Sequence, residues 1–144
     1  MSYSFRFLDD IALADMAFEA EGDSAQELCR GATDALLEAL ADPVTIGTTW
    51  ERSLVHASDD LGEALFEWLS EIVYWKDAAG VVFHDACVDV AHDQGVWKLE
   101  GCVRGAPVDS VRQRLRNDVK GVTKHLYHVI QEKARWKARV VLDV

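Results

Sequence analysis

At 144 residues, 49% hydrophobic, with five Trp and only two Pro, the chain suits one compact domain spanning 1–144 and not a disordered segment. No run approaches the ~20 apolar residues of a membrane span, and residues 1–6 lack the basic start and apolar core of a signal peptide, so a cytoplasmic protein is expected. A net charge of −10 disfavours general nucleic-acid binding, whose affinity comes mainly from phosphate attraction.

The charge is unevenly spread. Residues 104–139 hold ten Lys/Arg against three Asp/Glu, a sum of +7, and the remainder holds five against twenty-two, a sum of −17. A basic strip on an acidic body suggests a polar docking surface that steers a charged partner; ordinary solvated faces would give the same count. Cys29, Cys87 and Cys102 are odd in number and form no CxxC, so they read as reduced core or strand residues.

In chain order, residues 5–8 read as a short strand, and 16–21 alternate apolar with polar or small residues as a half-buried strand does. After a Gly22-Asp23 turn, Ser24 and Glu27 form a capping box. Leu28, Ala32, Ala35, Leu36, Ala39 and Leu40 follow at helical spacing, and Asp42-Pro43 ends the helix. Residues 50–55 predict a strand. Ser58-Asp59-Asp60 then caps a second amphipathic helix, with Leu61, Ala64, Leu65, Trp68, Leu69 and Ile72 on one face and Ala79-Gly80 as its breaker. Residues 81–90 and 96–103 flank a hairpin turn at 92–95. The basic stretch 111–116 suggests a short helix, and 119–130 with 136–144 a second hairpin across 132–135. The sum is an α+β fold, two helices on one face of a mainly antiparallel sheet.

Nucleotide-binding, hydrolase and metalloprotease signatures are absent: no GxxxxGK[ST], GxGxxG, GxSxG or HExxH occurs. Three features remain. Asp15 leads an apolar strand, where a carboxylate is costly unless it is paired, coordinated or bonded to turn amides. Within 119–126, Gly121 marks a bulge or the close approach of another group, and His125 is a base, a ligand, a hydrogen-bond orienter or a structural residue. His128, three positions on, would face the other side of a regular strand. Finally, 140–144 is a β-branched run broken only by Asp143, which sets that carboxylate beside the α-carboxylate of Val144. A cation between them would relieve their repulsion, and plain solvation of Asp143 would also serve. No spacing rule joins Asp15 to Asp143.

Several of these residues fall in a familiar order. Lys120, Val122, Thr123 and His125, then Asp143 followed by one aliphatic residue, resemble the lysine-x-valine-threonine-x-histidine strand and terminal aspartate of the archease family. Ala14-Asp15 with Gly22, and Trp68-Leu69 with Glu71, resemble its alanine-aspartate segment and its tryptophan-leucine-x-glutamate helix. The resemblance spans nearly the whole chain. It implies a small α+β accessory factor for an RtcB-type RNA ligase, which joins 2′,3′-cyclic phosphate or 3′-phosphate ends to 5′-hydroxyl ends in tRNA splicing and RNA repair. Such factors promote guanylylation of the ligase histidine, allow multiple turnover and broaden nucleotide use.

The resemblance also implies a divalent metal held by Asp15, Asp143 and Val144. An all-oxygen, carboxylate-rich set favours Ca²⁺, Mg²⁺ or Mn²⁺ over zinc. His125 would support the ligands, and Lys120 would meet a phosphate or a ligase carboxylate. The expected partner is the ligase, with no stable nucleic-acid contact, no membrane and no catalysis by the chain itself. The alternatives are a chaperone-like binding module and a small metal-dependent phosphoester hydrolase with His125 as base; the latter lacks a nucleophile and a phosphate loop. The chain departs from the family pattern at Ala12 and Leu13 (histidine and threonine), at Ala106 (an acidic residue) and at Lys124 (an aromatic).

Overall fold

A computed structural model describes residues 2–8 and 15–144. Ala12, Leu13 and Ala14 lie outside the described residues. The elements in chain order are β1 (Tyr3–Leu8), β2 (Asp15–Gly22), α1 (Ala25–Leu40), a 3₁₀ turn (Pro43–Thr45), β3 (Trp50–Ser58), α2 (Leu61–Ala78), β4 (Val81–Asp93), β5 (Val96–Pro107), β6 (Gly121–Glu132) and β7 (Arg135–Asp143). The α+β fold with two main helices is as expected. The single sheet is not: the described residues form two antiparallel sheets, ordered β1-β2-β7-β6 and β3-β5-β4. Side-chain alternation identifies strands but not their partners, so this division left no trace in the pattern.

Each helix touches both sheets, α1 lying on β1, β2, β7 and β4, and α2 on β3, β4, β5 and β6. The six apolar positions read on each helix are all buried, within one core cluster that also takes Phe18, Val140 and Leu142 from one sheet and Leu99 and Val103 from the other. A buried hydrogen-bond chain ties the helices together: the Trp68 indole N–H donates to Thr33 Oγ1 (3.0 Å), whose hydroxyl donates to the Cys29 carbonyl (2.6 Å). It satisfies the one polar atom of a fully buried tryptophan.

Local signals account for the element ends. Ser24 Oγ accepts the Glu27 N–H (3.1 Å), and Asp60 Oδ2 accepts the Glu63 N–H (2.9 Å), as N-cap side chains do. Gly22 ends β2 where a Cβ would come within 2.5 Å of the Leu28 nitrogen, so β2 can turn this closely onto α1 only without a side chain. Gln94 and Gly95, at φ 51° and 78°, make the tight β4–β5 turn, and both strands run longer than expected.

The expected helix at 111–116 does not form. This segment crosses the end of α1, where the Arg116 and Asn117 N–H groups donate to the Leu40 (3.0 Å) and Ala39 (3.2 Å) carbonyls. Carbonyls at a helix end need outside donors, and here that demand outweighs the segment's own helical tendency. Asp109 starts the strap by accepting the Val111 N–H (3.0 Å).

Candidate metal centre

The β2–β7 register sets Asp15 directly opposite Asp143. Alternation puts their side chains on one face with three further pairs: Ala17/Val141, Glu19/Arg139 and Glu21/Lys137. Glu19 accepts from Arg139 (3.1 Å) and from Arg6 (2.8 Å), and Glu21 lies 3.5 Å from both Arg135 and Lys137. Burial pushes the Glu19 carboxyl up, but hydrogen bonds from Arg139 and Arg6 outweigh it and hold the group below its usual range. The Asp15/Asp143 pair has no such cation among the described residues. Asp15 is half-buried at the start of β2, and Asp143 is exposed. Carboxylates directly opposed across an antiparallel pair repel, with Cβ atoms only ~5 Å apart.

On its other side, β7 pairs with β6, and Gly121 stands opposite Asp143. The Lys120 N–H donates to the Asp143 carbonyl (2.7 Å), which fixes the backbone beside the carboxylate pair. A Cβ on Gly121 would meet nothing within 4 Å, so this glycine answers neither a bulge nor a close approach. The bulge lies further along, between Thr123 and His128, and the residue with positive φ there is Leu126 (56°). Between the Thr123/Val141 and His128/Arg139 pairs, residues 124–127 stand against the single β7 position 140, so strand alternation does not carry from His125 to His128, and the parity argument separating them lapses.

His125 is exposed within this bulge and donates its backbone N–H to Thr123 Oγ1 (3.0 Å). His125 does not converge with Asp15 and Asp143 on one position among the described residues, so the register groups Asp15 and Asp143 with the Lys120 backbone and without His125. Lys124, at the aromatic position of the family pattern, pairs with Glu63 and lies over the Phe66 ring (4.4 Å). Tyr127 donates its hydroxyl to the Gly62 carbonyl (2.6 Å). Together these contacts strap the bulge to the first turn of α2.

At the start of β6 an open groove of about 550 Å³ is lined by Ser70, Tyr74, Asp77, Lys120 and Gly121 among others. Sequence reasoning missed its helical wall. The signal was present: Ser70, Tyr74 and Asp77 recur at i, i+4 and i+7 on the face of α2 opposite the apolar one. Trp68 and Glu71 of the same helix are structural. Trp68 is core, and Glu71 joins His56 (2.6 Å) to the Trp75 indole (2.8 Å). Ala106 packs into a small apolar cluster with Ala41, Ile46 and Val82.

The basic strip is largely neutralised from within. Arg104, Arg112, Arg116, Lys124, Arg135, Lys137 and Arg139 each pair with a carboxylate of the same chain. Among the described residues Arg114, Lys120 and Lys133 form no ion pair, and of these Lys120 borders the carboxylate site. No helix among the described residues is long and apolar enough to cross a membrane. Nor do three His, Cys, Asp or Glu side chains converge on a metal position among the described residues.

These features define a small α+β protein of two antiparallel sheets bridged by two helices, with two opposed carboxylates at a sheet end. Residues 5–144 match the Archease protein family (MTH1598/TM1083), and the chain belongs to that family. Protein archease from Methanopyrus kandleri is 33% identical over 131 residues, covering 91% of this chain and 94% of its own. The solution structure of protein 1598 from Methanobacterium thermoautotrophicum superposes with a TM-score of 0.78 at 29% identity, covering 97% and 98% of the two chains. A Thermotoga maritima crystal structure, described as "an archease, possible chaperone", shares the fold at a TM-score of 0.64, with 22% identity and 91% of each chain covered.

Proposed function

We propose that this protein is a non-catalytic activator of an RtcB-type RNA ligase, promoting ligase guanylylation and multiple turnover through a divalent cation. The observation that carries this reading is the register pairing of Asp15 with Asp143 at a sheet end where, among the described residues, no cation balances them. Every other charged pair on that face of β2 and β7 is matched, so a bound cation would complete the ladder. Family membership supports the ligase as partner.

Asp15 and Asp143 would hold the ion, with the α-carboxylate of Val144 as the third ligand. This donor set is oxygen throughout, which suits Ca²⁺, Mg²⁺ or Mn²⁺ better than zinc. Bound there, such an ion would neutralise phosphate oxygens at a nucleotide site brought against it. The chain's own residues position the site. Lys120 anchors the Asp143 backbone, the two strands fix both carboxylates on one face, and Lys120 also lines the groove where a phosphate or carboxylate of the partner would lie.

The test is single-turnover guanylylation of the cognate ligase with and without this protein, beside Asp15→Ala, Asp143→Ala and a form carrying one extra residue after Val144. Acceleration lost in all three supports the site as drawn. Acceleration kept by the extended form alone removes Val144 from the ligand set. If Asp15→Ala and Asp143→Ala both accelerate like the parent, the metal mechanism is wrong. Acceleration by none of them, the parent included, points to a chaperone-like binding module instead.

A further inference from the structure

Cys87 on β4 and Cys102 on β5 are directly opposed across an antiparallel pair, with their sulfurs 3.2 Å apart. Residues so opposed have Cα atoms ~4.5–5.5 Å apart, inside the ~4.4–6.8 Å that disulfides span. Both thiols are free, Cys87 exposed and Cys102 half-buried, on the solvent face of the β3-β5-β4 sheet. Cys29, a residue of α1, is fully buried and takes no part.

We propose that Cys87 and Cys102 form an oxidisable dithiol that closes to a cross-strand disulfide on reaction with a low-molecular-weight disulfide such as oxidised glutathione. Cys87 attacks first. Its thiolate displaces one glutathione thiolate and forms a mixed disulfide; Cys102 then gives up its proton, attacks the Cys87 sulfur and expels the second glutathione. Two cysteines are oxidised and one glutathione disulfide becomes two thiols. The order follows from the geometry: Cys87 is the more exposed sulfur, and the two thiols share a hydrogen bond in which either can donate. That hydrogen bond, with burial, pushes the Cys102 thiol up to about 11, so it is the slower sulfur to ionise. Closure brings the sulfurs from 3.2 Å to the ~2.05 Å of a disulfide across strands that are already paired. It lies in the sheet that does not carry Asp15 and Asp143, so it is independent of the proposed metal site.

The test treats the full chain with excess oxidised glutathione and follows intact mass, free-thiol count and peptide map, then reverses with dithiothreitol. The proposal expects loss of two hydrogens, one Cys87–Cys102 peptide, one remaining thiol, and a reversible rise in Tm of roughly 5–10 °C from closing the hairpin covalently. In Cys102→Ser the glutathione adduct should persist on Cys87. Three free thiols after treatment, or a stable adduct on the parent chain, would overturn the closure. Reaction of Cys87→Ser at Cys102 as fast as the parent would overturn the order of attack.

Discussion

The facing pairs on one side of β2 and β7 carry opposite electrostatics at their two ends. Toward the β6–β7 turn, Glu19 and Glu21 meet Arg139 and Lys137, and Arg135 reaches both Glu21 and Asp23. Toward the other end, past the apolar Ala17/Val141 pair, Asp15 meets Asp143. Both ends use the same backbone register, so the difference lies wholly in side-chain charge. Cross-strand pairs of opposite charge contribute about 0.2–1 kcal/mol each, and like charges cost a similar amount. One end of the ladder therefore stabilises the sheet, and the other gives up stability unless something cationic is added.

That contrast can be broken in measurable ways. The largest effect should come from the ion. At a free concentration about 100 times its Kd, a divalent cation would add ~2.7 kcal/mol and raise Tm by roughly 5–10 °C, and Asp143→Ala should erase that gain. Thermal unfolding with Ca²⁺ or Mn²⁺ against a chelator control reads it, and an undiminished gain in the variant would sink the assignment. Next, Glu19→Ala should lower stability by about 2 kcal/mol in urea unfolding. It strips Arg139 of its carboxylate, and Arg139 Nε is already buried without a partner among the described residues. A loss under ~0.5 kcal/mol would mean the matched end contributes little.

The acid response should follow. Because the Glu19 carboxyl is lowered in the fold, its stabilisation is complete above its unfolded value of about 4.3 and disappears as pH falls through the lowered folded one. Stability measured from about pH 5 to about pH 2 should fall less steeply in Glu19→Gln than in the parent. The smallest effect is also the most diagnostic. In chelator, Asp15→Asn should gain ~0.2–1 kcal/mol by removing the repulsion, whereas at saturating cation it should lose stability. The same sign under both conditions would contradict the contrast between the two ends.

Much of this could be read before the structure. The apolar faces of α1 and α2 follow from helical spacing, and Ser24, Asp60 and the Gln94-Gly95 turn mark element ends through local hydrogen bonding and backbone conformation. What could not be read is long-range. The partition into two sheets depends on strand partners, and the 111–116 segment is decided by α1 carbonyls more than seventy-five residues earlier. The same holds for the candidate site. Asp15 and Asp143 were each noticeable as carboxylates in apolar strands, yet only their order within a family pattern linked them before the register set them opposite each other. The Ser70-Tyr74-Asp77 wall was legible in spacing and was overlooked, because attention went to the apolar face of that helix.

The position of β7 inside its sheet has a consequence for how the chain acquires its structure. β7 lies between β2 and β6, yet β2 ends at Gly22 and β7 begins at Arg135, 113 positions later. At ~5–20 residues per second of synthesis, the β1–β2 hairpin waits about 6–20 s for the strand that covers its open edge. Contacts of such sequence separation also slow folding, because loop-closure entropy must be overcome before they form. Nascent chains of this protein should therefore expose an unpaired, apolar-faced hairpin for most of translation, and that interval is when aggregation or chaperone capture would compete with folding.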